Sequence, residues 1–241
     1  MRNAALPARP RIKALDVIRG FLIIGMMLDH LLYDCVMYLD APYHLFENPI
    51  RMTLHYIGAY LFVILSGASS YVSRSNWKRG AELLGIALLL TLITWIGDHD
   101  YFIVFGILHL LAVSTLLYAL LRPLIDRIPW KIQLWLWIAL IVGSSILTDV
   151  VKTGVPGLWI LGFPTLGFFS TDYYPLLPWL FVYLLGTWTG PVIFERRLPP
   201  WFYEIRCDFL EQIGRYSLWV YLLHQPIILG AVMILADILS K

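Results

Sequence analysis

Residues 16–34 run Asp16-Val-Ile-Arg19-Gly-Phe-Leu-Ile-Ile-Gly-Met-Met-Leu-Asp29-His30-Leu-Leu-Tyr33-Asp34 and read as a membrane helix that carries ionisable groups. A charged side chain at the centre of a bilayer costs at least ~2.5 kcal/mol on insertion scales, so such a group marks a functional site by default. Arg19 and His30 are eleven residues apart. At ~100° per residue they share one helix face, ~16 Å apart along the axis. One helix therefore offers a permanent cation near one end and a titratable base deeper in.

Composition agrees. The chain has 241 residues, 59% apolar and 14% charged, with a mean hydropathy of +0.73. Soluble domains sit nearer ~45–50% apolar and ~25% charged. The fold class is an all-α polytopic transmembrane bundle, read as a single integral domain over 1–241. Residues 1–13 form a cytoplasmic tail. Spans are predicted at about 17–38, 53–72, 80–97, 102–121, 131–148, 174–194 and 213–238, seven in all. The first apolar run is too long for a signal peptide and has no small-residue cleavage site, so it reads as an uncleaved helix.

Charge sets the orientation. With the N-terminus inside, fifteen of the eighteen Lys and Arg residues fall on the inner side, Arg2 and Arg9 among them, and Arg51, Lys152 and Lys241 on the other. Such asymmetry in short loops predicts N-in, C-out. Asp98 and Asp100 then fall on the outer side. The net charge of +2 gives no reason to expect a nucleic-acid partner. Cys35 and Cys207 fall near opposite faces, which argues against a disulfide. Residues 149–173 form an outer loop. Within it, 154–170 (GVPGLWILGFPTLGFFS) is apolar but broken by Gly and Pro, as in interfacial or re-entrant segments.

Several side chains could carry chemistry. His30 lies in the outer half of its helix. Asp34, one turn on, could fix its tautomer, while Asp29 points about 100° away. His109 and His224 fall at depths compatible with His30, and the three could line one cavity; each could instead be satisfied by a neighbouring helix. His44, His55 and His99 are assigned nothing. The second span ends in Ser66 and a run containing Arg74, Lys78 and Arg79. These cations could hold phosphates or serve only as an ordinary positive-inside loop. Arg19 has Asp16 as its simplest partner. Asp172 and Tyr173 open the sixth helix on the outer side, where they suit either the interfacial aromatic belt or a sugar or amine acceptor. No metal motif, Walker loop, dinucleotide fingerprint or nucleophile elbow occurs, so catalysis would rest on histidine as base with a bound activated donor.

Leu15-Asp16-x-x-Arg19-Gly20 followed by Asp29-His30 resembles the opening of the heparan-alpha-glucosaminide N-acetyltransferase catalytic domain family, and the Arg-to-His spacing is similar to that of the wider acyltransferase-3 superfamily. Phe62-x-x-Leu65-Ser66-Gly67, Asn76-x-Lys78-Arg79-Gly80, Phe105-Gly106-x-Leu108-His109, Pro175-x-Leu177-Pro178-Trp179 and Ser217-Leu-x-x-Tyr221-Leu-x-His224-Gln225-Pro226 extend the match in order along nearly the whole chain. The resemblance implies acetyl transfer from cytoplasmic acetyl-CoA to an amine or hydroxyl acceptor, such as an amino sugar or cell-envelope glycan, reached from the outer side. No metal is implied. It carries His30 over as catalytic base and Arg19 as part of the donor path. Asp29 and Asp34 join His30 as orienting groups. The expected donor-binding set is Arg19, Ser66, Arg74, Lys78, Arg79, His109, Arg215 and His224; Asp172 and Tyr173 are the acceptor-binding candidates. Larger relatives have more spans, and this chain lacks their extended outer segment. Related membrane acyltransferases suggest a homodimer, surrounded by lipid, in a bacterial-type inner membrane. A proton-coupled transporter of a small solute, using the same His and Asp residues as a relay, is the alternative; the absence of paired repeats speaks against it.

Overall fold

The computed structural model describes residues 11–97 and 101–240. Expectations for Arg2, Arg9, Asp98, His99, Asp100 and Lys241 lie outside these residues. The α-helices of the described residues are α1 Lys13–Tyr38, α2 Tyr43–Phe46, α3 Pro49–Tyr71, α4 Asn76–Gly97, α5 Ile107–Ile125, α6 Trp130–Val150, α7 Leu176–Phe194, α8 Pro200–Glu204, α9 Asp208–Arg215 and α10 Ser217–Leu239. Proline punctuates it. Pro129, Pro175 and Pro199 stand immediately before α6, α7 and α8. There a fixed φ helps and a missing N–H costs nothing.

Among the described residues, six helices are long and apolar enough to cross a membrane: α3, α4, α5, α6, α7 and α10. Helix α1 is longer than any of them but carries Lys13, Asp16, Arg19, Asp29 and Asp34, and it is not among the six. Much of the apolar surface stays uncovered within the chain. Ile96, Trp135, Ile146, Ile227 and Leu239 are all well exposed, as helices facing lipid require.

Helices α1, α3 and α4 each begin four residues before the expected span, and two other boundaries differ more. The span expected at 102–121 begins only at Ile107. The preceding residues are otherwise engaged: Phe105 pairs with Tyr173 in an isolated bridge, and the Ile107 N–H is taken by Asp172 Oδ2 at 3.0 Å. The span expected at 213–238 divides into α9 and α10, because Tyr216 (φ −103°, ψ 21°) leaves helical geometry. Residues 154–170 hold only a four-residue 3-10 turn, Leu158–Leu161, flanked by Gly157 and Gly162 in the left-handed region (φ 87° and 108°). A side chain at either glycine would strain the backbone.

The chain packs as two compact units. The first comprises residues up to Phe62 together with Leu198–Lys241; the second is Val63–Arg197. In the first, α1 packs on α9 and α10. Gly20 and Gly214 lie at the α1–α9 crossing, where a Cβ on Gly20 would strike Leu210 and one on Gly214 would strike the carbonyl of Asp16. Small residues let the two backbones touch. In the second unit, α4 packs on α5, and α7 packs on both α5 and α6. The end of α3 crosses α7 through Gly67 and Gly186 in the same way.

Candidate active site

In the first unit, α1 and α10 bring His30 and His224 together. Their rings meet edge-on with centroids 4.9 Å apart and planes at 86°. His30 Nδ1 lies 2.9 Å from the carbonyl oxygen of Met26, one turn back. A carbonyl only accepts, so Nδ1 carries the hydrogen and Nε2 of the neutral ring holds the lone pair. The tautomer is thus set by the helix backbone. This corrects the expectation that a carboxylate sets it: among the described residues, neither Asp29 nor Asp34 hydrogen-bonds His30. Asp34 is fully buried and accepts from Gln225 Nε2 at 3.1 and 3.2 Å. Asp29 turns to α3, where it meets Arg51 Nη1 at 2.5 Å and His55 Nδ1 at 3.0 Å. Helical spacing explains the split. Residues 29 and 30 point ~100° apart, so only one can face α10. Arg51 also donates to the carbonyl of Phe46 and stacks on its ring.

At the other end of α1, Asp16 is buried between two cations. It accepts from Arg11 Nε at 2.5 Å and from Arg19 Nη1 at 3.1 Å. The Asp16 carboxylate, as a hydrogen-bond partner, raises the Arg11 pKa despite some burial. Lys13 reaches Glu211 on α9 at 3.0 Å. Arg19 therefore has the partner expected of it, and its charge is balanced. Arg215 is exposed, with its guanidinium over the ring of Tyr216.

The second unit holds a hydroxyl cluster around one guanidinium. Arg79 donates to Ser70 Oγ at 2.9 Å and to Ser66 Oγ at 3.1 Å. Ser70 and Thr115 both meet the hydroxyl of Tyr183, at 2.5 and 2.8 Å. Among the described residues Arg79 pairs with no carboxylate. Arg74 is exposed, and Lys78 reaches only its own helix neighbour Glu82, at 3.8 Å.

His109 is likewise in the second unit. It is buried, with Nε2 3.1 Å from Thr91 Oγ1 and Nδ1 accepting the N–H of Gly106 at 3.3 Å. Both nitrogens are satisfied. Asp172 caps the start of α5, and Tyr173 donates its hydroxyl hydrogen to the carbonyl of Trp159 at 2.5 Å. Burial pushes the Tyr173 phenol up to about 12. These bonds give both residues a structural task on the loop. Among the described residues no three or more His, Cys, Asp or Glu side chains gather as metal ligands.

Sequence reasoning missed four of these residues. Arg51 and His55 were read as outer-side groups without a role, yet both engage Asp29. Gln225 was passed over although it adjoins His224. Tyr183 carried no local signal, because its partners Ser70 and Thr115 are 113 and 68 residues away.

No protein of curated function and no solved structure matches the chain. The model of one family, described as heparan-alpha-glucosaminide N-acetyltransferase, catalytic, matches residues 11–226. That span takes in α1 from its first residue and α10 as far as His224, Gln225 and Pro226. Covering so much of the sequence, the match places the chain in the heparan-alpha-glucosaminide N-acetyltransferase catalytic domain family, whose members are membrane acetyltransferases.

Proposed function

We propose that this protein transfers an acetyl group from acetyl-CoA to an amine or hydroxyl acceptor, with His30 as general base. The observation that carries the reading is the His30 imidazole: it sits on an apolar helix with Nδ1–H spent on Met26 and Nε2 left as the proton acceptor. The acceptor nitrogen or oxygen attacks the thioester carbonyl and its proton passes to Nε2. The C–S bond breaks, and the thiolate leaves to become CoA thiol. Asp34 and Asp29 act at a distance, by holding α10 and α3 against α1.

The donor's phosphates call for cations. Arg79 supports that role best, since its charge faces only neutral oxygens and a guanidinium has five donors to spend. Arg74, Lys78 and Arg215 add exposed positive charge. Arg19 lies on the His30 face of α1 and lends the donor path a cation, though Asp16 already engages it. The positive-inside bias supports a cytoplasmic donor and an acceptor from the outer side of a cell membrane. Asp172, Tyr173 and His109 belong to the protein's own hydrogen bonding more than to a ligand.

Isothermal titration of the detergent-purified protein with acetyl-CoA tests the reading. Micromolar binding that weakens more than tenfold (~1.4 kcal/mol) in Arg79→Ala is the expected result. An undetectable heat with both acetyl-CoA and CoA overturns it.

A further inference from the structure

His224 is 6% exposed, and its Nδ1–H goes to the carbonyl of Tyr221 at 2.5 Å. The neutral ring therefore holds its lone pair at Nε2, and that atom is buried without a hydrogen-bond partner. An unpaired buried acceptor costs free energy, so it calls for a function. Beside it stands His30, whose Nδ1–H is also spent on a backbone carbonyl. Two neutral rings thus meet with both Nε2 atoms as acceptors, and two acceptors form no hydrogen bond. One added proton changes this: an imidazolium Nε2–H on either ring finds its acceptor on the other. The ring centroids stand 4.9 Å apart with planes at 86°, near enough that turning the protonated ring's Nε2 edge toward the other brings the two Nε2 atoms into hydrogen-bond range.

We propose that His224 is a positioning residue that accepts the hydrogen bond of protonated His30, so that the pair holds one proton between them. The inference rests on the acetyl-transfer reading and adds a second histidine to it. The proton that His30 takes from the acceptor is stabilised by His224 while the C–S bond breaks, and it then passes to the CoA thiolate. The groups around the pair fit this. On α1, Asp34 is a fully buried carboxyl group held by Gln225 of α10. Asp29 is committed to Arg51 and His55 of α3.

The test has two arms on the full chain. Thiol release from acetyl-CoA is followed with D-glucosamine, ethanolamine and glycerol as acceptors. His224→Phe, which keeps a ring but removes the acceptor, lowers kcat by about ten- to a hundredfold with little change in KM. His224→Gln, which offers Oε1 near the position of Nε2, recovers part of the loss. Equal loss in Phe and Gln variants, or no loss in either, overturns the pair. If His30→Ala is as active as wild type, or wild type releases no thiol, the acetyl-transfer reading fails instead. The second arm needs no acceptor. In 15N-histidine protein examined by solid-state NMR under mildly acidic conditions, wild type shows nitrogen–nitrogen coupling across one N–H···N bond, and His224→Phe and His30→Phe lose it. Its absence from wild type overturns the proposal whatever the activity.

Discussion

Asp34 has no exposure, and a single amide group serves both of its oxygens. A buried carboxylate is tolerable only while it is hydrogen-bonded. Gln225→Leu strips it of that donor, and stability falls by about 2–4 kcal/mol, read as a lowered unfolding midpoint in detergent. Asp34→Asn in the same background recovers part of the loss, since a neutral amide is cheaper to bury. His30 behaves oppositely. It is only half-buried, and its one hydrogen bond goes to its own helix. His30→Ala therefore keeps the fold within ~1 kcal/mol and abolishes acetyl transfer, measured as thiol release beside a thermal unfolding curve. Tyr173 gives a pH dependence. Its phenol is raised to about 12 in the folded protein, against about 10 for an unfolded chain. The folded state thus binds the proton more tightly. The stability contributed is whole below pH ~10 and is lost as pH rises toward 12. Absorbance at the phenolate band shows tyrosine titrating late, and Tyr173→Phe lowers the amplitude of that late step.

The elements are held together by backbone approach as much as by side chains. At the α1–α9 crossing a Cβ on Gly214 lands inside the carbonyl of Asp16. Gly214→Ala therefore pushes α9 off α1 and disturbs the Lys13–Glu211 bridge as well. Gly58, inside α3, has nothing within 4 Å of its Cβ position. Gly58→Ala gains helix propensity and is neutral or stabilising by up to about 1 kcal/mol. The two substitutions move the unfolding midpoint in opposite directions; a common direction would contradict the crossing. Helix existence was legible from the sequence because apolar length and proline punctuation act locally. Helix starts were less so. The first turn of α5 depends on Asp172, 65 residues away in sequence, and no local pattern announces that cap. The last residues of amphipathic α9 were read as the start of a span, because α9 runs on into α10 with only Tyr216 between them out of helical geometry.

At the scale of the molecule, the number of crossings fixes the topology. Among the described residues six helices qualify by length and composition, and α1, which carries charged groups, is the candidate for a seventh crossing. An odd number places the two chain ends on opposite sides of the membrane, an even number on the same side. With the N-terminus cytoplasmic, a C-terminal alkaline phosphatase fusion is active and a C-terminal fluorescent protein dark if α1 crosses. The reverse pattern removes α1 from the membrane. Cys207 offers an independent check, because it is an exposed free thiol next to α9. It reacts with a membrane-impermeant maleimide only after the inner face is opened.

The sequence alone determined the class of this protein, its helices, the charge asymmetry, and an Arg–His face on α1 that resembles an acetyltransferase family. These are properties of composition and of spacing along one helix, which short stretches of chain carry in full. Only the tertiary structure decided which groups pair. Asp29 with Arg51 spans 22 residues, Ser70 with Tyr183 spans 113, and Asp34 with Gln225 spans 191. The reason is physical. A buried polar group needs some partner, and its chemistry says so in the sequence; the partner's identity follows from which helices touch and through which faces. That choice set a backbone carbonyl, not a carboxylate, behind His30 and placed a second histidine against it.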